Sequence, residues 1–398
     1  MSADEAAACT KRGVRRVLPD ARVVTAPMAD GGEGFARALV AATGGTLHGA
    51  EVTGPTGERV ASHYGLLGGD ETKTAVLEMA AAAGLSLVPD DARDPLKTTT
   101  YGVGELIRAA LDGGAERILV GCGDSGTNDG GFGMAQALGV RFLGDDGREL
   151  GRGGGELARL ATIDLSGRDP RLAGIEIDVA CNWHNVLCGE GGVARVFGPQ
   201  KGASPETVAA LERYAEVIGR DLGVDVRTMP GGGASGGLGA GLHALLGATL
   251  HPRFRIVMRY LELDSLLEDA DLVLSAEGGI DYQTPRGKVP AEVARRAGRY
   301  DLPVVVLAGT IGRDARVNLE HGIAAYESIM DAPHTLKEAV ADAERLLEGR
   351  LETTGFGAFS AATGDAIASD RDNRERILTA PNRFAGAPGS SPPSRPCR

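Results

Sequence analysis

The stretch RILVGCGDSGTNDGGFG (117–133) decides how this chain is read. Its apolar run at 118–120 predicts a buried strand that feeds into a loop holding six glycines, with a helix expected over 134–138. Glycine lets backbone approach a ligand closely, and N–H groups at a helix start favour an anion. Ser125, Thr127, Asn128 and Asp129 lie inside that loop. A carboxylate and an amide on one turn could hold a hydrated magnesium ion or accept a proton. That combination points to phosphoryl chemistry more than to hydride chemistry. One rival competes, because Gly121, Gly123 and Gly126 match G-x-G-x-x-G behind a strand, with Asp145 about 20 residues on. A dinucleotide site needs the helix to open at the third glycine, whereas TNDGGFG intervenes here and Asp145 falls in a GDDG turn. An NAD-dependent oxidoreductase is therefore the lesser reading.

Outward from this stretch the same pattern recurs. A strand at 23–26 ends in PMADGGEG (27–34), which places Asp30, Gly31, Gly32 and Glu33 before a helix over 35–42. Two carboxylates crowded by glycines at a strand end favour a cation or polar ligand. A strand at 272–274 ends in SAEGGIDYQTPRGK (275–288), which gathers Glu277, Asp281, Arg286 and Lys288 in one glycine-rich loop. In phosphoryl transfer, acids hold magnesium or orient the hydroxyl and cations stabilise the phosphoryl oxygens. A third glycine-rich loop, PGGGASGGLGAGLHALLG (230–247), runs into a helix.

Further strands are predicted at 74–79, 175–181 and 304–307, and hairpins at 51–68 and 140–150. Helices are predicted at 3–17, 104–111, 205–220 and 336–347. Strands alternating with helices imply an α/β protein with a mainly parallel sheet. From about residue 352 the composition shifts to Ser, Pro, Gly and Arg, so 351–398 reads as a disordered tail.

At 398 residues the chain is long enough for about two or three domains, each with its own core. A net charge of −12 argues against a nucleic-acid partner, since phosphate backbones demand clustered Lys and Arg. No apolar run approaches the roughly 18 residues needed to span a membrane, and the N-terminus lacks the apolar core of a signal peptide. Five scattered cysteines form no disulfide framework, so a reduced cytoplasm is expected. Cys181, His184 and Cys188 lack a fourth zinc ligand at the usual spacing, and Cys122 reads as a packing residue. There is no Walker A match. Only six lysines occur, so Lys201 and Lys288, both inside glycine-rich motifs, stand out.

Taken together, these motifs resemble the type I bacterial glycerate kinases over 2–347. The matching stretches are PMADGGEG (27–34), EMA…AGL (78–85), RDPLKTTTYGVGELI (93–107) and SGTNDGGFGMAQALG (125–139), followed by VFGPQKGA (196–203), GGLGAGL (236–242), EGGIDYQT (277–284) with RGK, and EHGI (320–323). The resemblance implies transfer of the γ-phosphoryl of ATP, with Mg2+, to a hydroxyl of D-glycerate, 2-phosphoglycerate being the favoured product. It implies two α/β domains with a cleft between them. One would be Rossmann/flavodoxin-like and discontinuous (1–69 plus 266–350), with the other (70–265) inserted into it. Asp129, Asp281, Lys288 and Asn128 are the expected catalytic residues, with Asp129 and Asp281 as magnesium ligands. Asp30, Gly31, Gly32, Glu33, Ser125, Thr127, Lys201, Gly236, Gly237, Glu277 and Arg286 are expected to bind substrate or phosphate. ATP and glycerate are the expected partners, and a monomer or homodimer the expected state.

The departures from the family pattern carry their own expectations. Family members begin with a strand and a loop reading like APDSFKGSLSA, whereas Met1 falls near the end of that loop. Losing a strand from a parallel sheet should leave ladder groups unpaired, and a start placed too late, or a fragment, would account for it. Asp124 and Gly126 replace the glycine and alanine of GGSATNDGG, Asn182 replaces an acid, and Gly279 replaces arginine or serine. Asp124 should weaken anion binding unless it faces away. These changes make a catalytically impaired or truncated relative the alternative reading.

Overall fold

The structure is a computed structural model that describes residues 1–28, 31–69, 72–353 and 376–382, with the backbone alone at Arg286 and Thr353. Among the described residues the strands are, in chain order, β1 (Arg22–Thr25), β2 (Thr46–Thr53), β3 (Arg59–Leu66), β4 (Thr74–Glu78), β5 (Arg117–Gly121), β6 (Arg141–Leu143) and β7 (Thr162–Asp164). They continue with β8 (Glu176–Cys181), β9 (Thr249–Pro252), β10 (Leu272–Ile280), β11 (Val304–Ile311), β12 (Ala325–Ser328) and β13 (Arg376–Thr379). Two compact units result, one from Met1–Ala29 with Leu261–Arg398 and the other from Asp30–Tyr260. The fold class is α/β, with the second unit inserted into the first.

The inserted unit holds a six-stranded sheet in the order β2-β3-β4-β5-β8-β9. β4, β5, β8 and β9 run parallel, and β3 joins β4 antiparallel. The parallel strands read as continuous apolar runs because both faces are covered: Ala75, Val76 and Leu77 in β4, and Ile118, Leu119 and Val120 in β5, are all fully buried. Phe132 and Phe142 extend that core with ring centroids 4.5 Å apart, edge to face. The expected hairpin around 54–57 is β2 and β3. Because β3 pairs with β4 through Gly65↔Val76 and Leu66↔Ala75, residues 31–69 belong to this unit, and the boundary falls near 30 rather than 70. The hairpin expected at 140–150 forms differently. β6 pairs antiparallel with β7, and the GDDG turn only doubles back through a bridge between Leu143 and Glu149.

The discontinuous unit holds a parallel sheet in the order β1-β13-β10-β11-β12. Its N-terminal helix, Ala3–Val17, opens on a capping box in which the Ser2 side chain accepts from the Glu5 N–H and Glu5 accepts in return from the Ser2 N–H. The helix packs on Ala343–Thr353, with Arg12 and Glu348 paired at 2.6 Å. The single helix expected at 336–347 is broken at Asp342 into Leu336–Ala341 and Ala343–Thr353. β10 runs six residues past the expected strand end, so Glu277 lies within the strand and not in a loop.

The largest correction concerns the carboxyl-terminal segment. Part of the expected tail, Arg376–Thr379, is β13, paired with β1 from Arg22↔Arg376 to Thr25↔Thr379 and with β10 from Leu272↔Ile377 to Leu274↔Thr379. Ile377, Leu378 and Thr379 are buried, as β-branched and aliphatic residues in a two-sided parallel strand should be. The facing edges of β1 and β10, expected to be left unpaired, are therefore laddered. Residues 354–375 and 383–398 of the expected tail lie outside the described residues. Among the described residues no helix is long and apolar enough to cross a membrane.

Candidate active site

In the inserted unit the glycine-rich loops gather at the carboxyl ends of β4, β5 and β8, where open α/β sheets place their ligands. Glu78, the last residue of β4, is buried and accepts from the N–H groups of Gly34 (2.9 Å) and Ala36 (2.7 Å). A carboxylate at the start of the helix Phe35–Thr43 answers the orphan donors there and fixes the acidic loop. Burial pushes the Glu78 carboxyl above its ordinary range, and the two amide bonds oppose that. Gly31 and Gly32 are buried, Glu33 is exposed, and Asp30 lies outside the described residues.

Beyond β5 the chain reaches Asp129, which is fully buried. Its carboxylate accepts from the Thr100 N–H (2.8 Å), the Thr100 hydroxyl (2.9 Å to Oδ2), the Gly131 N–H (3.1 Å) and the Gly133 N–H (3.2 Å). The Thr100 hydroxyl oxygen in turn accepts from the Met134 N–H at 3.0 Å. Both oxygens are thus occupied by the protein's own donors. The side chain holds the loop to the helix Tyr101–Asp112, and burial raises its carboxyl. The helix after the loop begins at Phe132, well past Gly126, so the dinucleotide spacing lacks the helix start it needs.

Lys201 sits at the end of a short turn, Pro199–Lys201, and is only 3% exposed. Its Nζ donates to Ser125 Oγ (2.7 Å), the Thr127 carbonyl (2.8 Å) and Asn128 Oδ1 (3.0 Å). Burial pushes its pKa down to about 7, against the pull of Asp129. The third glycine-rich loop closes on the same place. Ser235, Gly236 and Gly237 are three consecutive left-handed residues at the start of Ala234–Leu246. A Cβ on Gly236 would lie 1.9 Å from the Thr127 carbonyl oxygen, so only glycine fits. Three polar atoms here, Thr127 Oγ1, Asn128 Nδ2 and Ser235 Oγ, are buried without a hydrogen-bond partner among the described residues. Such leftover polar groups are costly unless something else satisfies them. The structure therefore brings together Ser125, Thr127, Asn128, Lys201, Gly236 and Gly237. Thr100, Glu78 and Ser235 escaped the sequence reading; the run of three threonines in RDPLKTTT was the available signal for the first.

In the discontinuous unit Lys288 Nζ donates to the Gly279 carbonyl (2.9 Å) and lies 3.8 Å from Asp281 Oδ1. Asp281 Oδ1 also accepts from the Gln283 N–H at 2.9 Å, which forms a tight turn beyond β10. Half-buried Glu277 receives the Asn382 carboxamide at 3.2 Å. The backbone of Arg286 follows in the turn Thr284–Arg286. Glu277 and Asp281 are acids near the end of one strand, in keeping with a hydrated magnesium ion, which takes one or two carboxylates plus phosphate oxygens.

The unusual residues have local explanations. Asp124 adopts a left-handed conformation (φ 49), and its carboxylate accepts from the Glu33 N–H at 3.1 Å. Its charge is thus engaged by the acidic loop's backbone. At Gly279 a Cβ would lie 2.7 Å from Thr310 Oγ1, so the neighbouring threonine takes the space of a side chain. Asn182 accepts from the His184 N–H at 3.2 Å. Cys181 is buried, its thiol pushed up to about 12 by that burial, and donates to the His251 carbonyl.

The family profile described as "Glycerate kinase family" matches residues 1–355. A glycerate kinase of Halalkalibacterium halodurans is 46% identical over 352 residues, spanning 87% of this chain and 92% of that protein. The glycerate 2-kinase of Escherichia coli (strain K12) is 49% identical over 343 residues, spanning 85% and 90%. A crystal structure from Salmonella typhimurium LT2, provisionally named glycerate kinase 2, superposes with a TM-score of 0.79 at 46% identity, covering 92% of this chain and 96% of that one. The chain belongs to the glycerate kinase family.

Proposed function

We propose that this chain transfers the γ-phosphoryl group of ATP to the 2-hydroxyl of D-glycerate, giving 2-phosphoglycerate and ADP. The observation that carries the reading is the buried cluster around Lys201. A nearly desolvated ammonium, three unsatisfied polar atoms and a left-handed glycine pair are what a phosphate-bearing ligand requires of a site without a Walker A loop. Relatives named for glycerate phosphorylation support the substrate, and one named glycerate 2-kinase supports the regiochemistry.

In the transfer, the acceptor hydroxyl oxygen bonds to the γ-phosphorus while the bond from that phosphorus to the bridging oxygen breaks, and ADP leaves. The transition state spreads charge over the equatorial oxygens, so cations and N–H dipoles do most of the work. Lys201 supplies one cation. Contact with phosphate favours its charged form and so reverses the effect of burial on its pKa. In the discontinuous unit Lys288 is held by the Gly279 carbonyl. Asp281, which lies beside Lys288, and Glu277 are the residues that would hold magnesium. When bound, magnesium would neutralise phosphate charge. Asp129, Thr100 and Glu78 keep the loops in place and touch no substrate.

The impaired-relative reading loses its main support, because Asp124 is engaged by the Glu33 N–H. The test is a phosphoglycerate assay with ATP, magnesium and D-glycerate on the wild type and on Lys201→Met. We expect product from the wild type and a loss of about a hundredfold or more in the variant with an unchanged fold. A wild type that binds ATP yet forms no phosphoglycerate would refute the reading.

A further inference from the structure

β13 does more than fill a gap in the sheet. Beyond Thr379 the chain stays clamped between its neighbours. The Ala380 N–H donates to the Leu274 carbonyl (2.8 Å) and the Asn382 N–H to the Ala276 carbonyl (2.7 Å) on the β10 side. On the β1 side the Ala26 N–H donates to the Thr379 carbonyl (2.7 Å) and the Met28 N–H to the Pro381 carbonyl (2.8 Å). The Ser275 hydroxyl adds a bond to the Ala380 carbonyl at 2.9 Å. The segment therefore reaches the carboxyl edge of the sheet in fixed register. There the side chain of Asn382, 9% exposed, donates to both oxygens of Glu277, at 3.4 Å to Oε1 and 3.2 Å to Oε2. A neutral donor straddling a carboxylate restrains its rotation. The sequence here, APNRFAG (380–386), shares Ala, Pro, Phe and Gly with the APDSFKG that opens the family's N-terminal loop.

We propose that the carboxyl-terminal segment belongs to the active site, and that Asn382 is a positioning residue that fixes the carboxylate of Glu277. The last described strand of the chain thereby lies between β1 and β10. Asn382 acts through Glu277, so the inference deepens the kinase reading and rests on it for its kinetic arm only.

The test is a double-mutant cycle of Asn382→Ala with Glu277→Ala in the full chain, read in urea unfolding, together with kcat/KM for Asn382→Ala and Asn382→Asp. We expect a coupling of about threefold or more in the unfolding equilibrium constant. We expect kcat/KM to fall about ten- to hundredfold in Asn382→Ala. Asn382→Asp should fall further, because it sets a second carboxylate against Glu277 while keeping the shape of the side chain. A merely structural role reverses that order, since the isosteric Asp would disturb packing less than Ala. Should Asn382→Ala unfold at the assay temperature, Asn382→Ser is measured in its place. An additive cycle, or an Asp variant as active as the wild type, overturns the proposal. A wild type without glycerate turnover defeats the kinase reading alone, and the urea cycle still decides the role of Asn382.

Discussion

Lys201 sits where a lysine is costly, nearly removed from water and held by one hydroxyl, one carbonyl and one amide oxygen. Its pKa near 7 in the folded protein, against 10.5 for the ordinary side chain, means that the unfolded chain binds the extra proton between those values. Stability from this residue therefore rises with pH across that window and is flat below it. The slope of unfolding free energy against pH, between 7.5 and 10, should be steeper in the wild type than in Lys201→Met by about 1.4 kcal/mol per pH unit. Equal slopes in urea titrations would show that the ammonium stays charged in the fold. Asp129 carries the opposite lesson. The loop sequence marks it as an acid at a ligand turn, for which Asp129→Asn should cost turnover and leave the fold intact. The geometry gives it four donors to satisfy, and an amide cannot accept all of them. Asp129→Asn should therefore lower stability by roughly 2–4 kcal/mol, seen as an earlier urea midpoint. Sequence identifies a buried acid and a catalytic acid by the same letters, and only burial and partners separate them.

At the scale of elements, the strands of the central run were legible because their apolar residues are continuous and end at glycine. β4, β5 and β8 all fall within a residue or so of their expected limits. β10 was read short because Ser275, Glu277 and two glycines look like a loop, yet pairing with β11 carries the strand on to Ile280. β13 was missed altogether. Four residues, RILT, set in a stretch rich in Ser, Pro, Gly and Arg, have too short a pattern to outweigh their composition, and their partners lie more than a hundred residues away. Among the described residues that strand is nevertheless the sole link between β1 and the rest of its sheet. Leu378→Ala should destabilise the discontinuous unit by about 2–5 kcal/mol, and amide exchange should quicken in β1 and β10 while β4 and β5 keep their protection. Uniform loss of protection in both units, or none, would contradict this assignment of β13.

For the whole molecule, the class of fold and the identity of the family were both legible, since ordered motifs at strand ends specify loops, and loops carry chemistry. The first boundary between the units was not legible, because only strand pairing reveals that residues 31–69 travel with the inserted unit. The candidate site was half legible. The sequence named Lys201, Ser125, Thr127, Asn128 and Gly236, which do meet, but nothing local could reveal Asn382 beside Glu277. A phosphoryl transfer organised around Lys201 can be read from its products. Incubation with D-glycerate, ATP and magnesium, followed by phosphorus NMR of the products, should show stoichiometric ADP and 2-phosphoglycerate from the wild type and almost none from Lys201→Met. Equal product from the two proteins would contradict the role given to Lys201, and the absence of any phosphoglycerate would contradict the claim itself.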